Sequence, residues 1–248
     1  PNLLLEKTVS YELGYSHNLF NHYLLNLAAY YKNIDNQVAW VSYQNINSSI
    51  NYIKPENNHY EDIRGFEITI DKQHGDWLTG FINYTYMVNS SGYFDLMSYY
   101  ENPTQQREYI NTTTTQSRPV PRPYIRANID LHTPDRFGLN VGGLYLLGGM
   151  DINLLASWKA GSYTDYNPTG APGVSNNVQW RDSYNVNLRV AKDFKLNNLD
   201  MRWYVDITNL MDTKFLSYSG FANSQDYLAY MGSLHFDWEE GIEKGRDR

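Results

Sequence analysis

Apolar and polar residues alternate through two consecutive runs, residues 184–194 and 199–210, which a short polar linker of residues 195–198 joins. In the second run, for example, the apolar residues Trp203 and Val205 alternate with Arg202, Tyr204 and Asp206. Because successive side chains of a β-strand point to opposite faces, this period of two predicts two strands with one apolar and one polar face. A soluble sheet shows the same alternation, so the pattern alone leaves open which solvent each face contacts.

The same alternation recurs along the chain and predicts about nine strands. The predicted strands cover residues 9–15, 23–41, 65–71, 78–86, 124–131, 152–160, 184–194, 199–210 and 227–236. The first is expected to stop at the polar cluster Ser16-His17-Asn18. Many of these runs carry four or five apolar residues on one face, which is enough for a lipid-facing band about 25 Å tall.

Loops of two lengths separate the predicted strands. Short linkers follow the first, third and seventh strands, whereas residues 45–60, 89–123, 163–180 and 217–225 are predicted long loops and residues 133–149 are intermediate. Pro55 is expected to exclude regular pairing within residues 45–60. Short turns on one side and long loops on the other are typical of outer-membrane barrels. A β-sandwich or a propeller has no reason to sort its loops in this way.

Composition narrows the class of protein. Among the 248 residues are 23 Tyr, 6 Trp and 9 Phe, an aromatic share of 15% that suits a membrane–water interface or a sugar-binding surface. The net charge of -7 argues against a nucleic-acid partner. The chain contains no cysteine, which excludes a disulfide framework and a thiolate metal site. Mean hydropathy is -0.59 and no apolar run approaches about 18 residues, so a spanning helix is excluded and a spanning barrel is not.

The polar faces of the predicted strands carry charges that fit a water-filled lumen. The candidate lumen-facing charges are Glu67, Arg126, Asp130, Arg189, Asp193, Arg202 and Asp206. Asp206 is expected to form ion pairs with Arg189 and Arg202, and a ligand contact is the alternative role for these side chains. The opposite faces would then contact lipid, with rings near the strand ends forming interfacial girdles.

Aromatic residues in the predicted loops are the candidate ligand-binding set. At the outer mouth of a barrel they would capture a ligand by stacking, together with Asn or Arg side chains. For any one of them, a place in the interface girdle or in the packed interior of a loop is the alternative. The candidates are Tyr93, Tyr99, Tyr100, Tyr109, Tyr163, Tyr166, Trp180 and Tyr218, with Phe94 and Phe221 beside them.

No catalytic residue, metal site or cofactor is expected. The six histidines lack ligand spacings such as H-E-x-x-H, and most of them flank predicted turns. Glu239 and Glu240 are interpreted as part of a solvated tail rather than as a glycosidase pair. The pairs Gly142-Gly143 and Gly148-Gly149 are interpreted as turn glycines and not as a phosphate-binding loop.

Several segments resemble the C-terminal barrel region of TonB-dependent outer-membrane receptors, especially those of Bacteroidota. Each segment is short, but together they follow the family's order over nearly the whole chain. They are residues 5–8 (LEKT), 11–15 (YELGY), 29–34 (AYYKNI), 64–67 (RGFE), 83–86 (NYTY), 187–194 (NLRVAKDF) and 205–212 (VDITNLMD).

The resemblance implies an all-β fold, a transmembrane antiparallel β-barrel of 22 strands closed around an N-terminal plug, of which this chain would supply about the last nine strands. The chain is therefore expected to be a fragment. Residues 1–236 would form the C-terminal part of the barrel, and residues 237–248 a charged extension. The family usually ends on an aromatic residue, here Phe236, so the residues after it depart from the pattern.

The function implied is import through a plugged barrel in the bacterial outer membrane of a siderophore, glycan, peptide or vitamin-like ligand. The partners implied are outer-membrane lipid and lipopolysaccharide, and the TonB complex, which would act through the missing N-terminal part. A surface lipoprotein or other subunits are further candidates. A non-pumping barrel that serves as a surface binding or scaffold component is the alternative, and a soluble glycan hydrolase would leave the loop asymmetry unexplained.

Overall fold

The structure is a computed structural model that describes residues 3–117, 119–166, 174, 176–196, 199–214 and 220–233. It divides into two compact units, residues 1–213 and residues 214–248. The first unit contains all of the strands described below.

The first unit consists mainly of long strands. In chain order its elements are β1 (Lys7–Leu19), β2 (Tyr23–Gln44), β3 (Asn51–Lys72), β4 (Leu78–Tyr93), β5 (Ser98–Tyr100), α1 (Pro103–Thr112), β6 (Val120–Pro121), β7 (Tyr124–His132), β8 (Asn140–Val141), β9 (Leu144–Tyr145), β10 (Met150–Lys159), β11 (Tyr163–Thr164), β12 (Val178–Gln179), β13 (Ser183–Leu196) and β14 (Leu199–Ile207).

Eight long strands pair in the order β1-β2-β3-β4-β7-β10-β13-β14, and every neighbouring pair is antiparallel. The all-β antiparallel prediction is confirmed, with eight long strands in place of about nine. In the part of the chain that the structure describes, the sheet is open, with β1 and β14 as its edges. Two short strands attach at the sides, β5 parallel to β2 and β6 antiparallel to β4.

The register of the strand pairs makes each face continuous across the sheet. Paired residues point to the same side, so one row of partners links seven strands through aromatic and aliphatic side chains. The row is Tyr15, Leu27, Ile68, Tyr84, Ile125, Trp158 and Tyr184. We call the side with this row the apolar face. The opposite side, the polar face, carries rows such as Asp130, Asn153, Arg189 and Asp206.

The apolar face is exposed rather than packed into a core. Large side chains on it, among them Leu13, Phe66 and Trp203, are solvent-accessible. Among the described residues of the first unit, the buried apolar side chains are few and small, namely Ala39, Val41, Val120, Val178 and Ala191. A soluble sheet would bury its apolar face against another layer, so this face requires an apolar solvent.

Neighbouring strands are staggered along the sheet. Tyr15 lies four residues before Leu19, the turn end of β1. Tyr184, in the same row, lies twelve residues before Leu196, the turn end of β13. This stagger of eight residues over six strand steps corresponds to a strand tilt of roughly 40°, at ~3.3 Å per residue and ~4.8 Å between strands. Such a tilt is typical of membrane-spanning barrels.

Two boundaries predicted around the first hairpins are wrong. Strand β1 does not stop at Ser16 but continues to Leu19, and the turn follows at Phe20 and Asn21, which have left-handed backbone conformations. Residues 51–60 belong to β3 instead of a loop, and Pro55 pairs with Trp40. The pairing of β3 with β4 begins only at His59, so the other edge of β3 is unpaired at Pro55. Proline is tolerated there because no ladder requires its missing N–H.

The predicted loop of residues 89–123 contains regular structure. Strand β4 continues to Tyr93, and β5, α1 and β6 follow within the segment. The loop of residues 163–180 likewise contains the short pair β11 and β12. The pattern missed these elements because each is short and lacks a sustained period.

The predicted last strand is wrong over Tyr227–Ser233, which lie in a helix, α2 (Ser224–Ser233), of the second unit. The side chain of Asn223 accepts a hydrogen bond from the backbone N–H of Asp226, and Asp226 lies in the first turn, so both satisfy a helix N-terminus. Phe221 packs on Tyr227 and Tyr230, which share one face of this helix.

Phe236 and residues 237–248 lie outside the described residues. Within the described ranges, no helix is long and apolar enough to cross a membrane.

Candidate functional site

The hairpin of β2 and β3 extends well beyond its neighbours at the end opposite the short turns. Strand β1 pairs with β2 only as far as Asp35, and from Ser42 the strand β5 takes its place on the same edge. The chain reaches that edge after leaving β4, and β6 then returns it to β4. We call residues 37–59 and 94–122 together the outer cap.

Three tyrosine rings form a continuous stack in the outer cap. Tyr43 of β2 lies between Tyr52 of β3 and Tyr99 of β5, with ring centroids 5.1 and 5.2 Å away and planes inclined by 10° in both cases. Both faces of the Tyr43 ring are therefore occupied. Tyr52 has an exposed side chain at one end of the stack. The stack fastens β5 to the hairpin and leaves the outer face of Tyr52 to contact other molecules.

The edge of the stack is polar. The hydroxyl of Tyr43 donates to Oε1 of Glu56 at 2.6 Å, and the same oxygen accepts from Lys54 Nζ at 2.9 Å. These two hydrogen bonds lower the pKa of the Glu56 carboxyl, and the bond to Glu56 raises the pKa of Tyr43. Burial, and next the carboxylate of Asp95, raise the pKa of Tyr99 to about 12. Glu56 is thus ionised and both phenols are protonated at neutral pH.

Asn58 connects the crossing segment to β3. Its buried side chain donates to the carbonyl oxygens of Asp95 and Leu96 and accepts from the backbone N–H of Asp95 at 2.6 Å. The backbone carbonyl of Asn58 also accepts from the N–H of Phe94 at 2.9 Å. One asparagine at a bulge of β3 therefore satisfies several backbone groups of residues 94–96.

Other predicted aromatics lie in the same cap or directly beside it. Tyr93, at the end of β4, contacts His59 edge-on at 5.1 Å, and Tyr100 contacts Tyr109 of α1 at 5.7 Å. The helix α1 begins at an Asn102 cap whose side chain accepts from the N–H groups of Thr104 and Gln105. The structure thus brings Tyr93, Tyr99, Tyr100 and Tyr109 into one region, where their rings pack against other rings of the same region.

The remaining predicted aromatics belong to other segments. Tyr163 lies in β11, the backbone of Tyr166 is held by the Asn177 side chain, and the N–H of Trp180 donates to the carbonyl of Ser162. These three residues form a second outer segment between β10 and β13. Tyr218 lies outside the described residues.

All seven predicted lumen charges share the polar face of the sheet. Arg189 pairs with Asp206 through two hydrogen bonds, and Arg202 contacts Asp151 at 2.5 Å and Asp193 at 3.6 Å. Asp130 accepts from Asn153 at 2.5 Å. Glu67 and Arg126 lie on the same face in the neighbouring strands, and Arg126 contacts the ring of Tyr124. The ion pair predicted between Arg202 and Asp206 is replaced by pairs with Asp151 and Asp193.

The polar face continues into the outer cap. Glu61 lies on the polar face, and so does His59, two residues away in β3. Gln37 pairs with His59 and therefore shares this face, and Tyr43, six residues after Gln37 in β2, points to the same side. The tyrosine stack therefore lies on the same side of the sheet as the charges.

Sequence reasoning missed Tyr43, Tyr52 and Glu56, because the second strand was predicted to end at residue 41 and residues 45–60 were assigned to a loop. The signal was present, since Tyr52, Lys54 and Glu56 alternate with Ile53 and Pro55. Among the described residues, no group of three or more acidic residues or histidines is arranged to hold a metal ion.

The chain matches a known protein family. The family model described as TonB dependent receptor-like, beta-barrel matches residues 1–210 of the chain. No curated protein and no solved structure matches significantly.

Proposed function

The chain belongs to the TonB-dependent receptor-like β-barrel family, and on this premise we propose that it forms the outer binding mouth and part of the lumen wall of a ligand importer. The family resemblance found in the sequence is confirmed. Membership places the protein in the bacterial outer membrane, with a role in transport and with TonB and outer-membrane lipids as partners. It is a family of transporters and not of enzymes.

The two faces of the sheet support this role. An exposed apolar face, a tilt of roughly 40° and backbone groups paired across the sheet fit strands that span lipid. The polar face has ion pairs and hydrogen-bonded amide side chains, which suit a water-filled lumen and are unfavourable against lipid.

The observation that carries the proposal is the continuity of the polar face with the tyrosine stack. A ligand that stacks on Tyr52 at the outer end would meet the polar face on its way inward, without crossing the apolar face. The outer cap has charged side chains of both signs, among them Lys54 and Arg107 as cations and Glu56 and Asp95 as anions. An uncharged ligand with flat apolar ring faces, such as an oligosaccharide, suits this chemistry better than a highly charged siderophore.

The proposal is tested by a binding assay on the full-length receptor in detergent micelles, using an array of soluble oligosaccharides. Tyr52→Ala is expected to weaken binding about twofold to tenfold, since an aromatic stacking contact contributes ~0.5–1.5 kcal/mol. The matched control is Ile53→Ala, because Ile53 is 62% exposed, Tyr52 is 54% exposed, and the two lie on opposite faces of β3. Equal loss in both variants, or no loss in either, would show that the stack does not bind the ligand.

A second assay separates import from mere binding. Uptake of the bound oligosaccharide by cells should stop when TonB is deleted, while surface binding persists. Uptake or retention that is indifferent to TonB would instead favour a non-pumping surface component, the alternative that the sequence left open.

A further inference from the structure

One connection on the turn side of the sheet differs from the others. The connections at residues 20–22 and 73–77 are short, but residues 133–149 form a longer connection with a hairpin of its own, β8 and β9. Residues 137–150 include no charged side chain. A protein segment that met only water would have no reason to exclude charge over this length.

The hairpin has an aliphatic face. Val141 pairs with Leu144 across a tip formed by Gly142 and Gly143, whose positive φ values of 64° and 92° suit a tight turn. The N–H of Leu146 donates to the carbonyl of Leu139, which extends the pairing by one step. The four residues on this face are exposed by 75%, 62%, 41% and 46% at Leu139, Val141, Leu144 and Leu146 respectively.

Lys192 fixes the side of the sheet on which the hairpin lies. Its Nζ donates to the carbonyl oxygens of Tyr145 at 2.9 Å and Gly148 at 2.5 Å. Lys192 is paired with Met150 and Trp203, so its side chain belongs to the apolar face. The end of the hairpin connection therefore lies against the apolar face, which contacts lipid, and not against the polar face.

Side chains also satisfy several backbone groups of the connection. Lys192 serves the carbonyls of Tyr145 and Gly148, Thr133 Oγ1 donates to the carbonyl of Leu147 at 2.6 Å, and Asn140 Oδ1 accepts from the N–H of Gly143. Backbone that enters the apolar part of an interface requires such partners, since water is scarce there. Ordinary exposed turns do not require them.

Aromatic rings mark the base of the connection. Phe137 meets Trp77, in the turn between β3 and β4, edge-on at 4.9 Å. Exposed aromatic rings at the ends of spanning strands typically lie at the level of the lipid headgroups. This contact places the base of the hairpin connection at the turn-side membrane interface.

From these contacts we infer that residues 137–147 form a lipid-binding hairpin whose aliphatic face enters the inner leaflet of the outer membrane. Its ligand is the phospholipid interface, at the boundary between headgroups and acyl chains, where an amphipathic element buries one apolar face. The hairpin thereby widens the lipid contact of β7, β10 and β13 on the turn side. The inference rests on the outer-membrane location and not on any imported ligand, so its failure would leave the proposed importer intact.

The test uses the full-length receptor in phospholipid nanodiscs, with a single cysteine labelled by an environment-sensitive fluorophore. Residues 1–248 contain no cysteine, so Val141→Cys or Leu139→Cys introduces the one label site within this chain. The matched control is His74→Cys, an exposed residue in the turn between β3 and β4 on the same side of the sheet. Heat-modifiable migration on gels checks that each variant is folded.

Nitroxide lipids labelled near the top of the acyl chain are expected to quench the fluorophore at Val141 at least about threefold more than at His74, and aqueous iodide is expected to do the reverse. Quenching of Val141 by iodide to the same extent as His74 would overturn the inference, since the hairpin would then lie in water. Protection of Val141 from both quenchers would also overturn it, because a protein partner would then cover the hairpin.

Discussion

Arg189 on β13 lies directly opposite Asp206 on β14, and the two side chains form a paired contact, Nε to Oδ1 at 2.5 Å and Nη2 to Oδ2 at 2.8 Å. The planar guanidinium and the carboxylate match each other in such an arrangement, which fixes orientation as well as distance. The guanidinium of Arg189 also lies 5.7 Å from the ring of Tyr204, on the same face. The last hairpin of the sheet therefore has a polar clasp on the side that we assign to the lumen.

We expect the Arg189 and Asp206 contact to be coupled but modest in effect, because both side chains are largely exposed. Arg189→Ala and Asp206→Ala should each lower the urea midpoint of the receptor refolded in lipid vesicles slightly, and the double variant should lie close to the single ones. Strictly additive shifts in that double-mutant cycle would mean that the two residues act independently.

The two faces of β10 allow a matched test of which one contacts lipid. Leu154 lies on the apolar face and Leu155 on the polar face, within the same strand. Leu154→Arg should destabilise the folded receptor in lipid by ~2–4 kcal/mol if it lies near the bilayer midplane. Leu155→Arg should be tolerated, since its side chain would lie in the lumen.

Guanidinium unfolding of both variants in lipid vesicles measures the difference, with heat-modifiable migration as a qualitative check. Similar losses for Leu154→Arg and Leu155→Arg would contradict the assignment of the faces. The pair is informative because the starting residue, the new residue and the strand are the same.

Acidification should loosen the outer cap through Glu56. Its pKa is lowered by the hydrogen bonds from Tyr43 and Lys54, so the carboxylate stabilises the cap fully above its ordinary pKa of ~4.3. That contribution is lost as the pH falls through the lowered value. At neutral pH, residues 94–101 should therefore exchange amide hydrogens more slowly in the wild type than in Glu56→Gln.

Hydrogen exchange followed by mass spectrometry, comparing the two proteins at each pH, removes the intrinsic pH dependence of exchange. The difference between them should shrink and vanish at pH values below the lowered pKa. A constant difference across the acid range would show that the charge of Glu56 is not what holds the cap.

Asn58 should be the main polar connection of the crossing segment. Asn58→Ala leaves backbone groups of Asp95 and Leu96 without their partner, at a cost of ~1–3 kcal/mol for buried groups. Trypsin added to intact cells should then cleave faster at Arg107 in α1 while the barrel stays folded. Asn51→Ala is the control, because Asn51 is exposed and accepts one bond from Ser42. Equal cleavage rates in the two variants would contradict this role of Asn58.

The alternation of side chains was enough to predict the sheet and its two faces. Ile152 and Val190 were predicted on apolar faces and Asn153 and Arg189 on polar faces, and the observed pairs Ile152 with Val190 and Asn153 with Arg189 keep these faces together, because parity determines the face once the strands pair. The turn at residues 73–77 was also predictable, since His74-Gly75-Asp76 interrupts the period there. The family followed from several short segments in order, and it is confirmed.

The outer cap was not predictable from the sequence. Pro55 was interpreted as a sign of a loop, because proline disrupts regular pairing. The sequence does not show that the pairing with β4 begins only at His59 and leaves one edge of β3 unpaired at Pro55. Strand β5 pairs with β2, which lies more than fifty residues earlier in the chain, and no local pattern encodes such a partner. Residues 227–236 were predicted as a strand, but Tyr227 and Tyr230 have the three-residue spacing of a helix face, and the cap at Asn223 and the contacts with Phe221 favour a helix.

Among the described pairings, register shifts occur only between β2 and β3, on both sides of Gln37, where the outer cap begins. Elsewhere the pairing is unbroken, and a slip of one residue between two strands would exchange the Arg189 row with the Val190 row. Each charged side chain moved to the lipid would then cost up to ~2–4 kcal/mol near the midplane. The bilayer thus selects against misregistered strand pairs during assembly. Irregular pairing is tolerated only where the hairpin of β2 and β3 extends beyond the bilayer.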